Sequence, residues 1–145
     1  MFMKHQNHTQ QVSPSSAPAP VLLLRLAIGF VFITEGIQKF LTPEVLGAGR
    51  FAKIGIPYPE ITGPFVGGVE IACGTLVLIG LLTRLGAFAL VVDMLVAIAA
   101  TKVPILLGHG FWAMAHEART DIAMLLGCAL LVSIGPGPLS FDDRD

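Results

Sequence analysis

The sequence predicts an all-α protein, a transmembrane four-helix bundle with a short interfacial helix between helices 1 and 2. Composition and run length lead to this fold class. Hydrophobic residues make up 54% of the 145 residues and charged residues only 13%, about half the charged fraction of a typical soluble domain. The mean hydropathy is +0.77. Several apolar runs also reach the length of about 20 residues that a membrane span needs.

The chain is expected to have three parts. Residues 1–20 are rich in Gln, Ser, Pro and Ala, a composition that cannot bury a core and predicts a disordered tail. This segment lacks the central apolar stretch of a signal peptide. The transmembrane domain is expected over residues 21–138. The remaining residues, 139–145, contain the sequence FDDRD and are expected to form an acidic C-terminal tail.

The first span is expected over residues 21–41, since Pro43 cannot continue a helical hydrogen-bond ladder. The next segment interleaves apolar and basic residues. This pattern predicts a short helix on the membrane surface, followed by a rigid turn at two prolines. The apolar residues are Val45, Leu46, Phe51 and Ile54, the basic ones Arg50 and Lys53, and the prolines Pro57 and Pro59.

Three further spans are expected over residues 61–82, 84–103 and 119–134. The link at Thr83 is so short that the second and third helices must be antiparallel neighbours. The fourth run is short and reaches a full span only with flanking residues or in a thinner membrane. Residues 106–120 are expected to form a loop or a partial helix. A soluble bundle is disfavoured because FALVVDMLVAIAA has a single charge and no polar stripe.

Every predicted span contains an acidic residue, namely Glu35, Glu70, Asp93 and Asp121. A charge within the hydrocarbon costs at least about 2.5 kcal/mol, so such residues face inward, pair or mark a functional path. Lys39 lies four residues after Glu35, the favourable order for an ion pair on one helix face. We therefore expect these two to pair near one membrane face. Arg25, near the other end of the helix, is expected to extend towards the headgroups.

Glu70 and Asp93 are each about ten residues into their helices and are therefore not explained as helix ends. They are the main candidates for a proton, ion or substrate path, and the structural alternative is a buried hydrogen-bond network between helices. Asp121 has a simpler explanation, because an acid is favoured at a helix N-terminus. Small residues at Gly63 and Gly67 predict a close helix approach, as do Gly29 and Gly36 on one face of the first helix.

The remaining candidates are weaker. Cys73 and Cys128 lie far apart within apolar runs and are expected to be buried small residues, although Cys73 shares a helix face with Glu70. His109 and His116 flank Trp112, which places this segment near the headgroups, but no third ligand is evident and no metal site is predicted. No basic patch typical of nucleic-acid binders is present.

Several stretches in order resemble the DoxX family of small four-helix membrane proteins. They are EGIQKF, IGIPYPE, GGVEIACGTLVLIGLLTRLGA, GHGFW and GPGPLSFDD, and the resemblance covers about residues 22–142. One departure is Asp121, where the family more often has Glu. The resemblance implies a multi-pass protein of the bacterial inner membrane. The family is named after a subunit of an archaeal thiosulfate:quinone oxidoreductase, and other members are linked to redox or detoxifying partners.

Two classes of function are consistent with these observations. The first is an accessory membrane subunit of a quinone-linked or thiol/sulfur-linked redox system, with a quinone as the candidate ligand. Glu70 and Asp93 would then exchange protons with the quinone. Glu35 and Lys39 would orient its head group. The sequence has no haem, iron–sulfur or nucleotide motif, so electrons would come from a soluble partner protein. The second is a scaffold, assembly factor or small-molecule carrier without catalytic activity. Four spans are few for a carrier, so a carrier would be expected to form a homo-oligomer. Lysine and arginine counts do not decide orientation; we take the termini as cytoplasmic.

Overall fold

The computed structural model describes residues 19–142 and residue 144. Among these residues the chain forms six α-helices and no strand. They are α1 (Pro20–Leu41), α2 (Ala48–Lys53), α3 (Pro59–Ile79), α4 (Thr83–His109), α5 (Phe111–Glu117) and α6 (Arg119–Ile134). The predicted all-helical fold is confirmed. The expected disordered tail falls almost entirely outside the described residues, as do Asp143 and Asp145 of the acidic tail.

Three of the helices, α1, α3 and α4, are long and apolar enough to cross a membrane. With 16 residues, α6 is shorter. It nevertheless packs along α4 for most of the length of that helix. Asp121 in the first turn of α6 pairs with Lys102, and Gly135 at its end lies against the Arg84 side chain. The helix α6 therefore runs antiparallel to α4, beside the part of α4 between Arg84 and Lys102.

Glycines allow α1 and α3 to approach closely. Their spacing predicts a close helix approach but not which helices meet. A Cβ atom on Gly36 would lie 2.6 Å from the carbonyl oxygen of Gly67, and one on Gly29 would lie 3.0 Å from that of Gly74. Such distances are too short for any side chain larger than hydrogen. Gly63 is equally close to the backbone of Ala48, which fixes α2 against the first turns of α3. Small residues thus set the positions of both helices around the site described below.

The sequence predicts that the third span ends near residue 103, and the structure differs from this prediction. The helix α4 continues through Pro104 to His109. Ending a helix inside hydrocarbon would expose several unpaired backbone groups, whereas an internal proline removes only one donor, so the helix continues. The chain then reverses at Gly110, whose φ of +90° favours glycine. The expected loop or partial helix is the seven-residue helix α5.

Arg25 does not extend towards the headgroups; that prediction is wrong. Its side chain is buried, with 1% of the residue exposed. All five N–H donors of the guanidinium reach backbone carbonyl oxygens at 2.9–3.2 Å. This network joins α1 to the end of α3 and to the segment after α6. The acceptors are Val77, Leu78, Pro136, Pro138 and Leu139.

The segment after α6 is also held by Asp142, which the sequence analysis assigned only to an acidic tail. Its two carboxylate oxygens accept the N–H groups of Leu82 and Thr83 at 2.7 and 2.8 Å. Asp142 therefore caps the N-terminus of α4 from a distant part of the chain. Partial burial alone would raise the pKa of Asp142. The N–H groups of Thr83 and Leu82 and the charge of Arg25 outweigh burial and hold that pKa below its usual range.

Candidate functional site

A cavity of about 450 Å³ lies among α1, α3, α4 and α6 and extends to the underside of α2. Most of its wall is apolar, with Phe32 and Val31 from α1 and Met124 from α6 among the lining residues. The wall also contains seven charged side chains. They are Glu35, Lys39, Arg50, Glu70, Asp93, Lys102 and Asp121.

The ion pair at the centre of this site joins Lys39 of α1 to Glu70 of α3. The Lys39 Nζ atom lies 2.7 Å from Glu70 Oε2, and the two side chains are 11% and 5% exposed. Lys39 and Glu70 each follow a contact glycine, Gly36 and Gly67, by three residues. Positions three apart share a helix face, so the closely packed surfaces bring the two charges together.

The predicted ion pair between Glu35 and Lys39 is therefore wrong. Glu35 is exposed, although it lines the cavity. Lys39 lies on the face that packs onto α3 and reaches Glu70 instead. The rule for pairs four residues apart describes an isolated helix surface. It does not include a carboxylate on a neighbouring helix, which is 31 residues away in sequence.

Asp93 of α4 is the third member of the cluster. Its carboxyl group is within hydrogen-bonding reach of the Glu70 carboxyl group and interacts electrostatically with Lys39. Its Oδ2 atom is buried and has no hydrogen-bond partner among the described residues. The cluster thus contains two carboxyl groups for one ammonium group. It has the capacity for one more proton, cation or hydrogen-bond donor, and a buried carboxyl oxygen without a partner is costly.

A second ion pair lies at the same end of the cavity. The Lys102 Nζ atom of α4 is 3.0 Å from Asp121 Oδ2 of α6. Asp121 is in the first turn of α6, as expected for an acid that interacts favourably with a helix N-terminus. Its main partner is Lys102, which the sequence analysis did not connect with it. Only the antiparallel packing of α4 and α6 reveals this pair.

The two cysteines and the two histidines singled out in the sequence lie outside the cavity wall. Cys128 is buried within the apolar core and Cys73 is partly buried against it. His109, at the end of α4, and His116, in α5, are exposed. Within the described part of the chain, no group of three His, Cys, Asp or Glu side chains is arranged to hold a metal ion.

Comparison with known proteins gives a family and several relatives. The DoxX family model matches residues 20–109. An uncharacterized membrane protein of Mycobacterium tuberculosis is 52% identical over 136 residues, which covers 90% of this chain and 83% of that protein. The inner membrane protein YphA of Escherichia coli is 30% identical over 139 residues, with 88% and 93% covered. No solved structure matches the chain.

Proposed function

Because the chain belongs to the DoxX family of membrane proteins, we propose that it is an accessory membrane subunit that binds a quinone for a redox partner protein. In this proposal α6 is the fourth span, the membrane is the bacterial inner membrane, and both termini face the cytoplasm. One observation carries the proposal. The cluster of Lys39, Glu70 and Asp93 lines an otherwise mostly apolar cavity.

The dimensions and lining of the cavity fit such a ligand. Its volume of about 450 Å³ lies within the range of about 300–1,000 Å³ found for small-molecule sites. Such sites combine apolar walls with a few placed polar groups. A quinone has the matching chemistry, with an apolar ring and chain and two carbonyl oxygens. Phe32 and Met94, from α1 and α4, would contact the ring or chain.

The polar cluster supplies hydrogen bonds and protons. The Lys39 ammonium has donors beyond the one that bonds Glu70, so it would donate to a carbonyl oxygen of the ligand. Asp93 Oδ2, without a partner among the described residues, would accept from a ligand hydroxyl. A quinone takes up two electrons and two protons when it is reduced to a quinol. Glu70 and Asp93 would hold and exchange those protons beside the ligand, as general acid–base groups do.

Electrons would reach the ligand from a soluble partner protein, which is why we propose an accessory subunit.

Lys102 and Asp121 form the second ion pair at the cavity wall. This pair fixes α6 against α4 and would keep that side of the cavity closed. Glu35, exposed at the wall, is available to a ligand head group or to the partner.

The test is quinone binding by the purified protein in lipid nanodiscs, measured by titration calorimetry with a short-chain quinone. Wild-type protein is expected to bind one equivalent. Asp93→Asn and Glu70→Gln are expected to weaken binding about tenfold or more, the equivalent of the 1.5–3 kcal/mol of a hydrogen bond to a charged group. Glu60→Gln, in the first turn of the same helix and exposed, is the matched control.

The same variants distinguish the alternative functions. If Glu70→Gln and Asp93→Asn leave binding and quinone-linked activity of the native complex unchanged but lower the thermal stability, the cluster is a structural element of a scaffold. Wild-type protein that binds no quinone would refute the proposal directly. Affinity purification in mild detergent, followed by mass spectrometry, identifies the partner; a chain that elutes alone would contradict the subunit role.

A further inference from the structure

A second cavity, of about 410 Å³, adjoins the first between α2 and the C-terminal half of α4. The two cavities share four lining residues and therefore adjoin each other, and we call the first the inner part and the second the outer part. The shared residues are Arg50, Ile54, Thr101 and Lys102. The outer part is lined by Arg50, Lys53 and Lys102, and we call these three residues the basic vestibule.

The basic vestibule has unbalanced positive charge. Lys102 is paired with Asp121, but the side chains of Arg50 and Lys53 make no ion pair or hydrogen bond among the described residues. Both are exposed, and they lie three residues apart on α2, so they share one face of that helix. Glu117 is the one acidic residue at the wall of the outer cavity and does not balance both cations.

From this arrangement we propose that the basic vestibule binds the phosphate group of an anionic phospholipid, whose acyl chain enters the apolar cavity. Arginine presents a planar fork of N–H donors that matches phosphate oxygens, and lysine adds a compact charge. Basic residues at the membrane surface attract anionic headgroups. The apolar wall that continues inward from Ile54 would accommodate a chain attached to that headgroup. An acyl chain in this cavity would occupy space that we propose for the quinone, so the two ligands would compete. The lipid site itself does not depend on a quinone being the other ligand.

The test measures lipid binding by native mass spectrometry of the full-length protein in detergent. Phosphatidylglycerol is titrated and compared with phosphatidylcholine of the same acyl chains. One phosphatidylglycerol is expected to bind to the wild-type protein in preference to phosphatidylcholine. Each basic residue near an anionic surface contributes about 1 kcal/mol. The double variant Arg50→Gln/Lys53→Gln is therefore expected to bind about 30-fold more weakly, the equivalent of about 2 kcal/mol.

The controls separate a specific site from general attraction. Arg84→Gln removes an exposed cation at the start of α4, at the opposite end of that helix from the vestibule, and is expected to leave the affinity unchanged. An equal loss in Arg84→Gln, or no loss in the double variant, would overturn the proposal. A separate titration with inorganic phosphate tests the source of the group. If free phosphate displaces the lipid at comparable concentration, the vestibule is a site for soluble phosphate and the lipid assignment is wrong. Circular dichroism confirms that both variants fold.

Discussion

Replacement of Arg25 tests whether its guanidinium holds one end of the bundle together. In Arg25→Met, an apolar chain of similar length replaces the guanidinium, and five carbonyl oxygens lose their donors. A hydrogen bond from a charged donor contributes about 1.5–3 kcal/mol. Simple addition would therefore give at least about 7 kcal/mol, comparable to the whole stability of many domains.

The expected loss is smaller, because four of the five hydrogen bonds are only partly buried. Water can reach some of the freed carbonyl groups at this end of the bundle. We expect the free energy of unfolding to fall by about 3–5 kcal/mol, the usual effect of breaking a buried charged network. Arg25→Lys is expected to lose less, since an ammonium retains three of the donors.

The assay is denaturant-induced unfolding in detergent micelles, followed by circular dichroism, with Arg84→Met as the matched control because Arg84 is exposed. Hydrogen exchange adds a local readout. The N–H of Asp142 bonds to the carbonyl of Gly80 at 2.9 Å and should exchange faster in Arg25→Met. If Arg25→Met unfolds at the same denaturant concentration as Arg84→Met, the guanidinium network does not stabilise the fold and the reasoning is refuted.

Two further predictions concern Asp142 and the contact between α1 and α3. The pKa of Asp142 is held below its usual value of 3.8 in the folded protein, so its contribution to stability is present above that value and is lost as the pH falls through the folded-state pKa. Asp142→Ala should lower the free energy of unfolding by about 0.5–2 kcal/mol at pH 7, as the loss of other helix caps does. This difference from the wild-type protein should vanish when unfolding is measured at acid pH. A difference that persists at low pH would contradict the pKa argument. Gly36→Ala should destabilise the protein by about 1–3 kcal/mol in thermal unfolding, because its Cβ would lie 2.6 Å from a carbonyl oxygen of α3. Gly68→Ala, with no atom within 4 Å of the added Cβ, is the control, and equal effects of the two substitutions would disprove the close-contact explanation.

Much of the architecture follows from local sequence features, and much of the site does not. Hydropathy predicted the long helices, and glycine spacing predicted a close helix approach, which the structure places between α1 and α3. Local rules then assigned Lys39 to Glu35, although its partner is Glu70 on another helix. Local rules likewise predicted neither a partner for Lys102 nor a role for Asp142. These interactions join residues 19–60 positions apart, so they depend on helix packing that charge spacing within one helix cannot reveal.

The two ends of the bundle differ in a way that bears on the proposed function. At one end, the guanidinium of Arg25 and the segment after α6 are joined by hydrogen bonds to backbone carbonyls. At the other end, two ion pairs line a cavity that adjoins the basic vestibule. Fully buried apolar side chains of the core, Ile28, Leu90 and Leu131 among them, lie between the two ends. The proposed ligand would therefore reach the polar cluster from the end of the bundle that carries the basic vestibule.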